Sequence, residues 1–170
     1  MKSASIVIAT LLFISDCSVS SRFIKELDRR NTIIAVLPFN GTGISKTYLD
    51  LATDEFTRLI FIKKGFQVID KSQVKYYLRK IKPDHSILFS KEHYFLLADT
   101  LQATVIILGS IELFFIPSEH EENLQHLIIT LRFINGANAE IFGMVYEKTT
   151  TVLPLSQIIP ELLEKMLPKI

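Results

Sequence analysis

A chain of 170 residues with 48% apolar and 22% charged side chains has enough material for one domain with a real core, and a composition that excludes disorder. Against 18 Asp and Glu it sets 19 Lys and Arg, a formal net charge of +1, so no basic excess draws in a phosphate backbone and nucleic acid is not an expected partner. Its single cysteine, Cys17, excludes an intramolecular disulfide.

The amino terminus sets the address. Lys2 precedes an apolar stretch, Ala4–Ile14, interrupted only by Ser5 and Thr10. A bilayer span needs about 20 apolar residues, so this run is too short to cross and instead matches the apolar region of a secretory signal peptide. Cys17 falls just after it, in an arrangement that resembles a bacterial lipobox, where the cysteine becomes the lipid-modified first residue of the mature protein. Asp16 stands where lipoboxes usually carry Gly, Ala or Ser. The expected division is a signal peptide over 1–16, a lipidated Cys17 with a polar tether over 17–31, and one domain over 32–170. A plain cleaved signal with an incidental cysteine, or an added first strand of a cytosolic domain, are the alternatives.

Thr32–Phe39 and Thr104–Phe115 are runs of β-branched and large apolar residues, too continuous for half-exposed strands, and read as central strands buried on both faces. Asn40-Gly41-Thr42-Gly43 reads as a turn, and Ser45 as the cap of a helix whose apolar face is Tyr48, Leu51, Ala52, Phe56, Leu59 and Ile60. Lys63-Lys64-Gly65 stops that helix, with Gly65 as the left-handed cap. A short strand, Phe66–Ile69, follows. Asp70 caps a second helix with Gln73 placed for a capping box; its stripe is Val74, Tyr77, Leu78 and Ile81, and Pro83-Asp84 ends it.

Ser90 starts a third helix with the stripe Tyr94, Leu97, Ala98 and Leu101. The long strand breaks at Pro117, and Ser118–Asn123 is a polar turn. In the next strand, Leu124–Ile134, Leu127, Ile129, Leu131 and Phe133 alternate with His126, Thr130 and Arg132, as in an antiparallel strand with one wet face. Asn135-Gly136 is a turn, Glu140–Tyr146 a fifth strand, and Thr149–Pro154 a link to a closing helix with Ile158, Ile159, Leu162, Leu163 and Met166 on one face. The order β-α-β-α-α-β-β-β-α predicts an α/β sandwich of two or three layers on a mixed five-stranded sheet. Its first crossovers are parallel, its last three strands an antiparallel meander, and its helices gather on one face.

Four phrases in that order carry a family resemblance: Ile34–Phe39, Gly65–Lys71, Ala98–Ser110 and the strand–turn–strand Leu131–Phe142. Over roughly 32–146 the chain resembles the envelope-protein family of the TolB amino-terminal domain, the curli-secretion lipoprotein CsgG and the penicillin-binding-protein activator LpoB. Thr104, Lys71 and Ala139 replace the family's usual Asp, Arg and Gly. The resemblance implies an anticodon-binding-domain-like fold and a non-enzymatic lipoprotein of the bacterial outer membrane, on its periplasmic face, that docks on or regulates an envelope assembly such as a cell-wall synthase, flagellar or secretion component. It leaves a homo-oligomer open. The alternative is a subunit of a CsgG-like secretion pore, for which the chain has no spare length, since strands 104–116 and 124–134 are needed by the sheet itself.

Catalytic chemistry is not visible. Gly41-x-Gly43 lacks the rest of any phosphate-binding fingerprint, and a turn needing positive φ explains both glycines. His85, His93, His120 and His126 form no ligand spacing, so no metal or cofactor is expected. Asp50 and Asp54, at i and i+4, could pair for acid–base work or simply face water. No nucleophile elbow is present, and an enzyme is not expected. Phe61 and Ile62 lie beside the first helix's stripe, Phe114 and Ile116 stand on the strand face opposite Phe115, and Ile87-Leu88-Phe89 falls in a loop. Exposed together they would mark a partner surface; packing under the tether or the closing helix is the other outcome.

Overall fold

A computed structural model describes residues 27–81, 90–116 and 124–170. The expected signal peptide, Cys17, Pro83-Asp84, Ile87-Leu88-Phe89 and Ser118–Asn123 lie outside the described residues. The elements are β1 (Ile33–Val36), β2 (Asn40–Thr42), α1 (Lys46–Leu59), a π-turn (Ile60–Lys64), β3 (Gln67–Val68), α2 (Lys71–Ile81), α3 (Lys91–Leu101), β4 (Val105–Ile116), β5 (Leu124–Asn135), β6 (Ile141–Thr151), α4 (Leu155–Met166) and a closing 3-10 turn (Leu167–Lys169). The sheet order is β3-β1-β4-β5-β6, with β2 also paired to β4. β1 runs parallel to β3 and β4, whereas β4, β5 and β6 form the antiparallel meander.

The mixed α/β class holds, with a sixth strand. Asn40–Thr42, expected as a turn, pairs parallel with Ser110–Glu112. A Cβ on Gly41 would stand 2.4 Å from the Ile111 carbonyl oxygen, so this glycine serves close backbone approach. Only Gly43 has the positive φ, +73°, expected of both. β6 is longer than predicted, because Thr149–Thr151 continue the ladder opposite Leu127, His126 and Gln125 instead of forming a link. Threonines suit a pleated, half-exposed strand, which is why a polar triplet extends it.

The helices cover both faces, not one. Periodicity identifies a helix's apolar stripe but not the face it meets, and here two separate clusters settle it. α1 and α4 pack Phe56, Leu59, Ile159 and Leu163 against Val36, Ile107, Leu131 and Phe133. On the opposite face α2 and α3 bring Val74, Leu97 and Ala98 onto Ala35, Leu37, Ile106 and Ile134. All five predicted positions of α4 are buried. Asp70 Oδ1 accepts from the Ser72 N–H at 2.8 Å, Gly65 takes φ +71°, and Ser90 caps α3 in a capping box with His93, whereas Ser45 stands at the N-cap of α1 without a side-chain hydrogen bond. β4 is buried on both faces only over Val105–Ile107; beyond Leu108 its sides alternate, and its last three residues are exposed.

Candidate functional site: an open sheet face and two apolar ends

α2 and α3 cover β1 and the start of β4, and among the described residues no helix covers the same face of β4, β5 and β6 beyond them. Register fixes what that face presents. Successive cross-strand rows are Leu108–Arg132–Met144, Ser110–Thr130–Tyr146, Glu112–Ile128–Lys148 and Phe114–His126–Thr150. Side chains directly opposite in adjacent strands share a face, and the His126 Nδ1 to Thr150 Oγ1 contact of 2.9 Å joins two of them. β6 is the sheet's outer strand on this side. Met144 and Tyr146 are exposed on it. Their partners on the other face, Val145 and Glu147, are buried under α4, and Lys165 and Lys169 pair with the Glu147 carboxylate.

At the carboxyl end of β4 the strand outruns β2, while β5 stays paired to Ile116. β2 stops pairing at Glu112, and Phe114, Phe115 and Ile116 follow at 47, 61 and 42% exposure. Phe115 stands opposite Gln125, which stands opposite Thr151, and the exposed Val152 and Leu153 come next. Neighbouring strands are about 4.8 Å apart, so the ends of β4 and β6 are about 10 Å apart, and five exposed apolar side chains share this end of the sheet, Phe114 and Ile116 on one face and Phe115 on the other. Sequence reasoning named Phe114 and Ile116 but missed Phe115, Val152 and Leu153. The missing signal is where β2 stops, a tertiary fact.

Phe61 and Ile62, each 62% exposed, lie elsewhere. α1 runs back from the carboxyl ends of β1 and β2, so its terminal π-turn returns to the level of Ile33 and Gln67, where β3 begins. Val105 on β4 pairs with Ile34 at that level, and Phe114 is nine residues further along β4, about 30 Å at ~3.3 Å per residue. The structure therefore does not bring the two predicted pairs together; it places them at opposite ends of the domain.

Between α3 and the open face lies a cleft of about 550 Å³, lined by Tyr94, Leu108, Arg132, Ile134 and Ile141, with a Lys91–Glu140 ion pair of 3.1 Å across its mouth. Burial pushes the Tyr94 phenol up, against the opposing charge of Arg132. Asp50 and Asp54, the candidate acid–base pair, are taken up by lysines: Lys71 pairs with both, and Lys75 reaches Asp50 at 3.2 Å. Burial pushes the Asp50 carboxyl up, but the Lys75 and Lys71 ammonium groups outweigh it and hold the group below the usual carboxylate range. These pairs tie α2 to α1. Among the described residues no cluster of three or more His, Cys, Asp or Glu could hold a metal ion, and no helix is long and apolar enough to cross a membrane.

No family model matches the sequence, and no curated protein matches it. Solved structures do. The PelC dodecamer from Paraburkholderia phytofirmans is similar with a TM-score of 0.58 at 14% identity, over 85% of this chain and 90% of that one. Lipoprotein GNA1162 from Neisseria meningitidis gives 0.55 at 14% identity, over 81% and 96%. The LpoB carboxyl-terminal domain from Salmonella enterica gives 0.50 at 10% identity, over 70% and 82%. At these identities the likeness is one of architecture: the chain has the mixed α/β fold that the LpoB carboxyl-terminal domain, PelC and GNA1162 share.

Proposed function

We propose that this chain is a non-enzymatic protein-interaction module of the bacterial cell envelope, held by a lipid on Cys17 at the periplasmic face of the outer membrane. The observation that carries the reading is the gathering of exposed Phe114, Phe115, Ile116, Val152 and Leu153 at one end of the sheet, with Phe114 and Ile116 on its open face. Exposed large apolar side chains grouped in this way mark a contact site for another protein. The address comes from the Ala4–Ile14 run followed by the only cysteine. A fold shared with a protein named as a lipoprotein supports it. The partner is an envelope protein, of the kind found in cell-wall synthesis, flagellar or secretion assemblies.

Two measurements test this. Intact mass from membrane and soluble fractions of the native host is expected to match residues 17–170 plus acyl chains, in membranes alone; an unmodified full-length chain in the soluble fraction overturns the anchor. A photocrosslinking residue at Phe114 is expected to capture a discrete envelope protein. No adduct from Phe114 or from Leu153 would overturn the docking reading.

A ring of identical copies is the second reading, favoured by the PelC neighbour solved as a dodecamer. A regular ladder of adducts from Phe114, containing this chain only, would establish it over the first. A CsgG-like pore is less well supported, because β5 is hydrogen-bonded along its length to both neighbours.

A further inference from the structure

We propose that Phe61 and Ile62, with the cations around them, form a second membrane contact that lays their end of the domain on a phospholipid surface bearing anionic headgroups. The inference rests on the lipoprotein reading for its native anchor.

Four observations converge on it. Two large apolar side chains stand adjacent and 62% exposed on the π-turn, while Ile60 beside them is fully buried, so the turn is anchored in the core and presents the pair outward. Lys63 and Lys64 follow directly, and the exposed Arg29 and Arg30 precede β1, which starts at this same end. Asp28 is engaged by the Arg30 N–H and the Asn31 amide, Glu164 takes up Lys63, and Lys64 Nζ donates to the Ile170 oxygen at 3.1 Å, so the electrostatic part of the contact rests chiefly on the Arg29 and Arg30 side chains. Finally, the segment leading into β1 lies at this end, and its Leu27 packs against the core cluster that α1 and α4 help to build. From Cys17 to Leu27 the chain reaches at most ~36 Å. A lipid on Cys17 therefore joins the domain at its Phe61 end, and the contact made by Phe61 and Ile62 is what would turn that end to the bilayer.

The chemistry of that arrangement is additive. The acyl chains on Cys17 supply attachment, and a basic and apolar patch adds to it by fixing which end of the domain meets the surface. Each Lys or Arg near an anionic surface contributes about a fivefold gain in partition, and two aromatic or aliphatic side chains beside them can enter the headgroup region. Phe61 and Ile62 are thereby accounted for separately from Phe114 and Ile116, which face the partner.

The chain contains no tryptophan and one cysteine, and both facts serve the test. The full chain is coupled through Cys17 to a maleimide headgroup lipid in phosphatidylcholine–phosphatidylglycerol vesicles, which imposes the anchor whether or not the host lipidates it. A single Phe61→Trp reporter is expected to shift to shorter wavelength and to be quenched by brominated acyl chains. A Phe115→Trp reporter in the same vesicles is expected to do neither. Arg29→Gln with Arg30→Gln lowers the Phe61→Trp quenching, and pure phosphatidylcholine does the same. Equal emission of both reporters, or quenching only at Phe115→Trp, overturns the inference. Quenching at Phe61→Trp that is indifferent to phosphatidylglycerol overturns its anionic part. An unlipidated native chain defeats the lipoprotein reading without touching this result, so the two failures are distinct.

Discussion

A methyl group at Gly109 would stand 2.3 Å from Cζ of Phe39, a contact no Cβ makes, and the ring has nowhere to go. On its other side Phe39 meets the Phe56 ring edge-on at 6.0 Å, and its backbone N–H donates to the buried Thr53 hydroxyl at 3.0 Å. Thr53 in turn donates to the Leu49 carbonyl at 2.7 Å. Strand β4, the Phe39 corner and α1 are thus locked at one point. Gly109→Ala is expected to cost about 1–3 kcal/mol through overpacking, read as a lower urea midpoint at unchanged slope. In a Phe39→Leu background the same change should cost less, and an unchanged penalty would refute the contact as its cause. Thr53→Val leaves the Phe39 N–H buried without an acceptor and should also cost about 1–3 kcal/mol. A glycine inside the apolar run Thr104–Phe115 signals close approach, but not that the approaching group is an aromatic ring. Sequence alone also places Thr53 off the apolar stripe of α1, since a buried hydroxyl declares itself only by the hydrogen bonds it makes.

At the scale of elements, α4 is held to β6 by charge as well as by its apolar face. Burial pushes the Glu147 carboxyl up, but Lys169 and Lys165 outweigh it, and the group titrates below the ordinary glutamate value of 4.5. A carboxyl with a depressed folded pKa contributes stability above its unfolded pKa and loses it as pH falls through the folded one. The contribution is therefore complete near neutrality and fades below about pH 4.5. Urea unfolding from pH 6 to pH 3 should show a larger loss for the natural chain than for Glu147→Gln. Parallel curves would remove Glu147 from the account. The helix itself is legible in the sequence, because Ile158, Ile159, Leu162, Leu163 and Met166 repeat at helical spacing on one face. Strand β5 is legible for the matching reason, a period of two. β6 is less so, since Ile141, Phe142, Met144, Val145 and Tyr146 are all apolar and a register shift between Phe133 and Ile134 resets their sides. β2 is not legible, because three residues rich in turn formers become a strand only where β4 offers an edge.

For the whole molecule, polarity along the sheet axis matters more than any single side chain. The segment that leads into β1 and the Phe61–Ile62 pair share one end, and the Phe114–Ile116 run shares the other with Val152 and Leu153. Exposed apolar residues contribute little to folding, so substitutions at either end should stay within about 0.5 kcal/mol of the parent stability. Their functional effects should separate. Phe114→Glu with Leu153→Glu places carboxylates in the surface that a partner or a second copy must desolvate, and truncating a central apolar anchor commonly costs 2 kcal/mol or more. That is about a thirtyfold loss at ~1.4 kcal/mol per decade. Adducts from a crosslinker at Ile116 should fall accordingly, with membrane partition unchanged. Phe61→Ser with Ile62→Ser should do the converse, weakening membrane contact while the Ile116 adducts persist. If both double variants reduced the same readout, the two ends would belong to one continuous interface and the division of labour along the sheet would be wrong. If each moves only its own, the fold serves as a spacer of about 30 Å, one end against lipid and the other presented to protein.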